Sequence, residues 1–489
     1  MTADDRDLSG WLPPFLVTQR WFGGKGRAIA SCEIDDVAAL DQDPDVRLVV
    51  CRVLYAGGSP ERYALLLARR DDPSGLPVVG RLDPAADGWI VEAAGDARAA
   101  AALLAGFAAT GGAETRAGGR LDFGSTPDAA AAFAGPISGV TPLGAEQSNT
   151  SFRIGREFLF KLFRRIEPGE NPEVEVSRFL LERTAFRMMP SLEGSITYRS
   201  PTGESSTVGV LQGWLENQGD GWKYVVDALA DAMTSGVPAV ELQRDVGDLG
   251  RTTARLHAAL ASDPASEAFR PEPVAAGDRA AWLDEVRGQA ERSLAMLRVN
   301  LPAWSGEALK LGEAVLARAA RVVAVTAAVG STAVPAFSRI RIHGDFHLGQ
   351  TLKTAGGFIV IDFEGEPAKP LARRRQKTSA LKDVAGMLRS FAYADETAGR
   401  RAFDQIGRRP APVDLRTPFL AGYLHESSRL GAVLIPKEPH DVASWLTVFE
   451  LEKAFYELEY EINNRPAWVP IPLRGLLDLL AGTGGTTGV

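Results

Sequence analysis

Residues 341–350 read RIHGDFHLGQ, and residues 356–365, shortly after, read GGFIVIDFEG. The chain has only five histidines, and two of them, His343 and His347, flank Asp345 here. Gly344 and Gly349 give the first stretch the character of a loop. The second stretch is a short apolar run, the pattern of a buried strand, and it ends on Asp362. An H-x-x-x-H spacing suits zinc when it lies on a helix and has a third ligand. The glycines argue for a loop instead, and no cysteine lies nearby. Phosphohistidine chemistry has no supporting context. The remaining reading joins the loop to the strand end. Asp345 would take a hydroxyl proton, and Gln350 and Asp362 would offer oxygens to Mg²⁺.

Working towards the N-terminus, EFLFKLF (157–163) places Lys161 inside an apolar strand run. A buried ammonium is costly unless it is paired. The plain alternative is an edge-strand lysine that points to water. A carboxylate partner is available in NPEVEVSRFL (171–180), which opens like a helix with Asn171 as N-cap and Pro172 at the first helical position. Glu173 and Glu175 are either dipole acids or partners for Lys161, and Glu175 is the favoured partner. Before the lysine strand, LGAEQSNTSFRIG (143–155) is rich in turn residues. Ser148, Asn149 and Thr150 could donate to phosphate oxygens there. A strand lysine, a base aspartate, an amide ligand and a metal aspartate, in that order, form the parts list of phosphoryl transfer.

The chain as a whole is compatible with this. Its 489 residues fit two or three domains. A composition of 45% hydrophobic and 24% charged residues is that of soluble globular protein. A net charge of −8 argues against a nucleic-acid surface but leaves room for a basic pocket that takes a polyanion. The start, MTADDRDLSGW, has no basic region followed by an apolar one, so no signal peptide is expected. No apolar run approaches about 18 residues, so no membrane span is expected. Two cysteines, Cys32 and Cys51, are too few for a disulfide framework or a zinc site and suit a reducing cytoplasm.

Three blocks are expected. Residues 1–100 alternate short β-like runs with turns and form a cap. Residues 101–216 form a β-rich nucleotide-binding part, entered through an Ala/Gly-rich helix and loose connection at about 97–135. Residues 217–489 are mostly helical and carry the catalytic loop and the acceptor site. ENQGDG (216–221) is a polar hinge between the last two. Near the C-terminus, 448–464 reads as an amphipathic helix. Val448, Leu451, Phe455, Leu458 and Ile462 form its apolar stripe. Lys453, Tyr456, Glu457, Tyr460 and Asn464 fall on the other side. Two tyrosines there suit a sugar groove, against the plain alternative of a solvated face.

HGDFHLGQ, DFEGE and DVAGMLRS resemble the catalytic loop, metal motif and following helix of the aminoglycoside phosphotransferase/choline kinase fold. Within that fold the chain is similar to the actinobacterial-type maltokinases. The likeness lies in QRWFGGKGR (19–27), GAEQSNTSF, KLFRRIEPGENPEVEV, HGDFHLGQ, DFEGEPAKPL and YELEYEINNRPAWVPIPL (456–473), which span nearly the whole chain. Gln350 stands where the wider fold usually has Asn, as it does in maltokinases. The stretch 100–135 is longer and looser than the family pattern.

The resemblance implies an α+β, bilobal, protein-kinase-like fold with a β-rich N-terminal cap, a β-rich nucleotide lobe and a helical C-terminal lobe. It implies ATP and Mg²⁺ as cofactors. Lys161 would bind the nucleotide phosphates, held by Glu175, with Ser148, Asn149 and Thr150 beside them. VLQGWLENQGDGW, which contains Gln212, would read adenine through its backbone. Asp345 would be the base, Gln350 and Asp362 the metal ligands, and Glu364 a further metal-side carboxylate. His343 would fix the loop, and Asp383 would anchor it by hydrogen bonds. His347, Arg389, Lys453, Tyr456, Glu457 and Tyr460 would face the sugar. The implied reaction is phosphorylation of maltose to maltose 1-phosphate, feeding glycogen or α-glucan synthesis. The alternatives are a kinase for glucosamine or glucose, or a nucleotide-binding pseudokinase that partners a trehalose synthase.

Overall fold

The computed structural model describes residues 3–481 except 41–42, 74, 83–87, 109–110, 136, 138, 144–148 and 409. The expectations for Gly144 and Ser148 therefore lie outside the described residues.

Alternation in the first 92 residues builds an antiparallel sheet. Its strands are β1 (Ile29–Leu40), β2 (Asp43–Tyr55), β3 (Glu61–Arg70), β4 (Val78–Arg81) and β5 (Trp89–Glu92), in the order β1-β2-β3-β5-β4. Successive side chains of a strand point to opposite faces, and this sheet buries both. Val49, Cys51, Val53, Tyr63, Leu65 and Leu67 pack with Leu8, Leu12, Phe15 and Leu16 of the first helix, Ala3–Leu16. The alternate residues Leu48, Val50, Ala64, Leu66 and Ala68 belong to a second core.

That second core is shared with another sheet. Its strands come from β6 (Gly111–Glu114), β7 (Arg120–Ser125), β8 (Val140–Leu143), β9 (Asn149–Ile154), β10 (Phe158–Phe163), β12 (Leu192–Arg199) and β13 (Ser205–Gly213). They run β6-β7-β12-β13-β10-β9-β8. The two-residue β11 (Arg165–Ile166) leaves this order and pairs with β3, setting Arg165 opposite Tyr63. Phe152, Phe160 and Val210 join Leu48 and Leu66 in one apolar cluster. The line expected at residue 100 therefore falls inside a single compact unit, made of Met1–Leu181, Pro190–Leu215 and Pro367–Leu371. The stretch expected to be a helix and a loose connection is more ordered than its composition suggests. It holds helix Ala97–Leu104, the β6–β7 pair and helix Pro127–Phe133, fastened by buried Leu103, Leu121 and Phe133.

The second unit comprises Glu182–Met189, Glu216–Glu366 and Ala372–Val489. Its main helices are Gly221–Ser235, Val240–Leu260, Ala276–Asn300, Leu381–Ile406, Arg416–Leu430 and Pro439–Asn464. Two of them approach backbone to backbone. A Cβ at Gly250 would lie 2.1 Å from the Phe419 carbonyl oxygen, and one at Gly422 would lie 2.1 Å from that of Gly247. A hairpin, Thr351–Thr354 with Gly357–Val360, interrupts the helices just after the loop that holds Asp345. The polar segment expected to act as a hinge is tied to that hairpin. Gln218 N–H donates to the Lys353 carbonyl at 2.8 Å, and Lys353 N–H donates to that of Gly219 at 3.0 Å. Among the described residues, no single helix is long and apolar enough to cross a membrane. Cys32 and Cys51 are free and buried.

Candidate active site

The site residues expected from the sequence fall into both units.

In the first unit, Lys161 lies on β10, which has β13 on one side and β9 on the other. It is not on an edge strand, and its side chain is buried. The helix Pro172–Arg183 begins as its sequence foretells. The Asn171 side-chain oxygen accepts from Glu173 N–H at 2.9 Å. Both acids of the first turn are buried, Glu173 completely. Glu173 accepts a hydrogen bond from the Gln212 side-chain amide at 2.7 Å. Gln212, expected near the adenine, thus turns its side chain to this acid while its backbone stays in the β10–β13–β12 ladder. Asn149 opens β9 and is buried. The neighbouring Thr150 hydroxyl accepts from Arg164 Nε at 2.7 Å. Arg164 is itself buried, 2.9 Å from Glu92 and 4.8 Å from the centre of the Trp21 ring. Trp21 of QRWFGGKGR, Glu92 of β5 and Thr150 of β9 therefore meet at one guanidinium.

In the second unit, the loop around Asp345 is fixed by Asp383, near the start of helix Leu381–Ile406. One carboxylate oxygen accepts from His343 N–H at 2.7 Å and the other from Gly344 N–H at 2.9 Å. This is the anchoring role expected for Asp383. Sequence reading missed the third partner, His257, whose Nε2 lies 3.2 Å from Asp383. Its Nδ1 lies 3.0 Å from the Tyr423 hydroxyl, and all three groups are buried. A carboxylate only accepts, so Nε2 carries a proton and donates it to Asp383. The only prior signal was a histidine inside an apolar helix stretch, ARLHAAL, which by itself reads as ordinary core.

The same logic assigns His343. Its Nε2 donates to the Ile361 carbonyl at 2.9 Å, and its Nδ1 accepts from Asp345 N–H at 3.4 Å. His343 fixes the loop, as expected. His347 caps the short helical turn Leu348–Gln350 through Gly349 N–H, and its Nε2 lies 3.8 Å from Asp345. Desolvation pushes His347 below its ordinary pKa, and Asp345 offsets this only in part. The side chain is therefore a neutral imidazole at pH 7.

Asp345 is mostly buried. Burial works against its charge, but Lys453 outweighs it from 3.3 Å. The carboxyl is held below its usual range and is ionised, the state a general base requires. Lys453 is pushed down by burial, but Asp345, Glu366 and Glu457 raise it above its ordinary value. Its ammonium also stands 5.0 Å from the centre of the Tyr456 ring. Tyr456 hydrogen-bonds to Glu366.

The hairpin register sets Gln350 next to the end of the second strand, where Ile361 N–H donates to the Gln350 carbonyl at 3.0 Å. Asp362 follows at φ = 67°, the only non-glycine residue with positive φ among those described. That conformation costs an L-residue about 1–2 kcal/mol, and aspartate is one of the few residues that visit it. Gln350 and Asp362 thus flank the two strands of the hairpin; an amide oxygen and a carboxylate are ligand types suited to Mg²⁺, which binds one or two protein oxygens and keeps its waters. No group of three or more His, Cys, Asp or Glu that could hold a metal occurs among the described residues. Glu364 is buried 3.9 Å from Arg374, which also donates to its carbonyl.

The polar side of the long helix Pro439–Asn464 is in part buried. Glu457 is buried and takes a two-pronged contact from Arg389, at 3.0 Å from Nε and 2.8 Å from Nη2. Arg389 is buried as well. Both were expected to face a sugar, and they face each other. The reason is that helix Leu381–Ile406 covers this side of the long helix, which its charged residues alone would mark as solvated. Tyr460 is exposed, with Arg465 5.3 Å from its ring centre.

Residues 15–96 match the maltokinase N-terminal cap domain, and residues 139–365 match the phosphotransferase enzyme family. The chain is 31% identical over 374 residues to a glucosamine kinase of Streptacidiphilus jiangxiensis, covering 73% of this chain and 78% of that protein. The chain belongs to the phosphotransferase enzyme family. It carries that family's maltokinase-type cap. A glucosamine kinase of Mycolicibacterium smegmatis is 28% identical over 345 residues, 70% of this chain and 80% of its own. Two solved glucosamine kinase structures superpose at TM-scores of 0.66 and 0.68 with 23% and 22% identity. They cover 97% and 98% of this chain and 99% of their own, so the fold is shared along nearly the whole length. The fold expected from the sequence, with a β-rich cap, a β-rich lobe and a helical C-terminal part, is the fold found.

Proposed function

We propose that this phosphotransferase moves the γ-phosphoryl group of ATP to a hydroxyl of a sugar, and that the preferred sugar is glucosamine. The observation that carries the reaction type is Asp345. It is an ionised, mostly buried carboxylate on a loop fixed by Asp383 and His343. In this reading Asp345 accepts the proton of the acceptor hydroxyl as its oxygen bonds to the γ-phosphorus. The bond from that phosphorus to the bridging oxygen breaks, and ADP leaves. Lys161 supplies positive charge for the nucleotide phosphates. Gln350 and Asp362 would hold Mg²⁺, which neutralises charge on the phosphates when bound. The rest of the effect comes from orientation in a fixed electrostatic setting.

Glucosamine is favoured by the two relatives that match 73% and 70% of this chain, which bear that name. It is also favoured by Glu366, a half-buried carboxylate close enough to raise the pKa of Lys453 and hydrogen-bonded to Tyr456, which suits an ammonium group. A second reading, maltose to maltose 1-phosphate, is favoured by the cap over residues 15–96. The test is ADP release with ATP, Mg²⁺ and a panel of glucosamine, glucose and maltose, with the phosphorylated position located by NMR. Glucosamine is expected to give the highest kcat/KM. A higher value for maltose selects the second reading. The absence of turnover with every sugar, or full activity in Asp345→Asn, rejects both.

A further inference from the structure

Three groups surround Asp345 from its own loop and from the long helix: His343, His347 and Lys453. Behind Lys453 stand Glu457, one turn along the same helix, and Glu366. Behind Glu457 stands Arg389, on helix Leu381–Ile406. The groups therefore alternate in type from the loop inwards: the Asp345 carboxyl, the Lys453 ammonium, the Glu457 carboxyl and the Arg389 guanidinium; burial pushes the Glu457 carboxyl above its ordinary pKa, countered in part by Arg389 and Lys453. Two of the three steps are short, 3.3 Å from Lys453 to Asp345 and 2.8 Å from Arg389 to Glu457. The far end is seated by a close approach. A Cβ at Gly475, on helix Pro470–Ala481, would lie 2.1 Å from Arg389 Nη1, so only glycine leaves this guanidinium its room.

We propose that Lys453 is the positioning residue that aims the Asp345 carboxylate, and that the Arg389–Glu457 pair is its buttress rather than part of the acceptor site. Arg389 and Glu457 are buried against each other, with Nε and Nη2 both donating to one Glu457 oxygen. Lys453 could swing freely on its four-carbon stem. The Tyr456 ring, 5.0 Å from the ammonium, and the Asp345 carboxylate, 3.3 Å from it, hold it on the side of the helix that meets the loop, and Glu457 one turn along favours its charge. A misplacement of the base by about 1 Å can cost 10²-fold in rate, so fixing this one cation matters for turnover. The inference rests on reading Asp345 as the base of the proposed reaction.

The experiment compares the full-length protein with Lys453→Met, Lys453→Arg and the double variant Arg389→Met/Glu457→Leu. The double variant removes both charges of the buried pair together, which spares the fold the cost of a lone buried ion. Lys453→Met is expected to lower kcat by about 10- to 10²-fold with the KM for the sugar changed less than about twofold. Lys453→Arg should recover most of the loss, and the double variant should lower kcat by about tenfold, again with KM intact. A tenfold rise in sugar KM with kcat intact, in either Lys453→Met or the double variant, makes these residues acceptor contacts and overturns the proposal. A second readout needs no substrate. With ¹³C-labelled aspartate, the Asp345 carboxyl resonance, assigned by its loss in Asp345→Asn, should move in Lys453→Met and in the double variant and return in Lys453→Arg. If that resonance moves as expected but no sugar is turned over, the ladder stands and the proposed activity falls. If sugar is turned over and neither kcat nor the resonance responds, the ladder falls and the activity stands.

Discussion

The imidazole of His343 donates from Nε2 to the backbone carbonyl of Ile361 at 2.9 Å. One ring thereby ties the base loop to the residue before Asp362, while its other nitrogen receives the N–H of Asp345. Two elements 18 residues apart share one support. His343→Ala should remove both bonds and leave two backbone groups without their partner. A loss of about 1–3 kcal/mol is expected from urea unfolding. Asp345 and Asp362 would both lose alignment, so kcat should fall at least about tenfold. A variant with wild-type kcat would show that the ring carries no positional load.

The ionisation of Asp345 makes a prediction about pH. Its pKa is depressed in the folded protein, so the ionised, active form persists as pH falls until that depressed value is reached. The acid limb of kcat/KM should therefore lie below the ordinary carboxylate pKa of about 3.9 as far as this group is concerned. The same group contributes stability that is present above its unfolded pKa and lost as pH falls through the folded one. In Lys453→Met, burial is no longer outweighed, and the acid limb should move to higher pH. A rate profile of Lys453→Met that superposes on the parent below pH 6 would refute this.

The backbone at Asp362 separates two roles that one substitution normally confounds. Alanine loses the carboxylate and also pays the left-handed penalty of about 1–2 kcal/mol. Asparagine tolerates that conformation and keeps one oxygen. Asp362→Asn should hold the parent's melting temperature and respond to Mg²⁺ only at higher concentration. Asp362→Ala should melt lower and lose the response to Mg²⁺. Equal Mg²⁺ titrations for Asp362→Ala and the parent would place the metal elsewhere.

The parts of the site legible in the sequence are those whose signals are local. Asn171-Pro172 marked a helix start through capping chemistry, the apolar run around Lys161 marked a strand, and the glycines around Asp345 marked a loop. What stayed hidden depends on partners remote in sequence. His257 meets Asp383 across 126 residues, and Arg389 meets Glu457 across 68. Periodicity located the apolar stripe of the long helix correctly at Val448, Leu451, Phe455 and Leu458. It could not reveal that a second helix covers part of the polar side, because a charged residue reads as solvated whether or not a buried counter-charge awaits it. The link from Thr150 through Arg164 to Trp21 was hidden for the same reason.

That link makes a stability prediction for the first unit. Arg164 and Glu92 are both buried and 2.9 Å apart. Removing one partner leaves an uncompensated charge, so Arg164→Met should cost about 3–5 kcal/mol in urea unfolding. The double variant Arg164→Met/Glu92→Leu should recover most of that loss, since replacing a buried pair by apolar groups is often near neutral. A double variant no more stable than Arg164→Met would mean that the Thr150 and Trp21 contacts, not the ion pair, carry the energy.

The acceptor can be tested at Glu366. This half-buried carboxylate hydrogen-bonds to Tyr456, and its charge is felt by Lys453 beside the base. Lys453 would repel an ammonium, so the amine of glucosamine must bind away from it, and Glu366 is the nearby anion that can receive it. Glu366→Gln keeps the shape and an acceptor oxygen for Tyr456 but removes the charge. A charge-assisted hydrogen bond is worth about 1.5–3 kcal/mol. The KM for glucosamine should therefore rise by about tenfold or more, while that for glucose, which has a neutral hydroxyl at the same carbon, should change little. The preference for glucosamine over glucose should collapse accordingly. Were Glu366→Gln to weaken both sugars equally, the carboxylate would be a support for Tyr456 and the case for an amino sugar would lose its structural basis. Were it to leave both unchanged and maltose remain the best acceptor, the maltose reading would take its place.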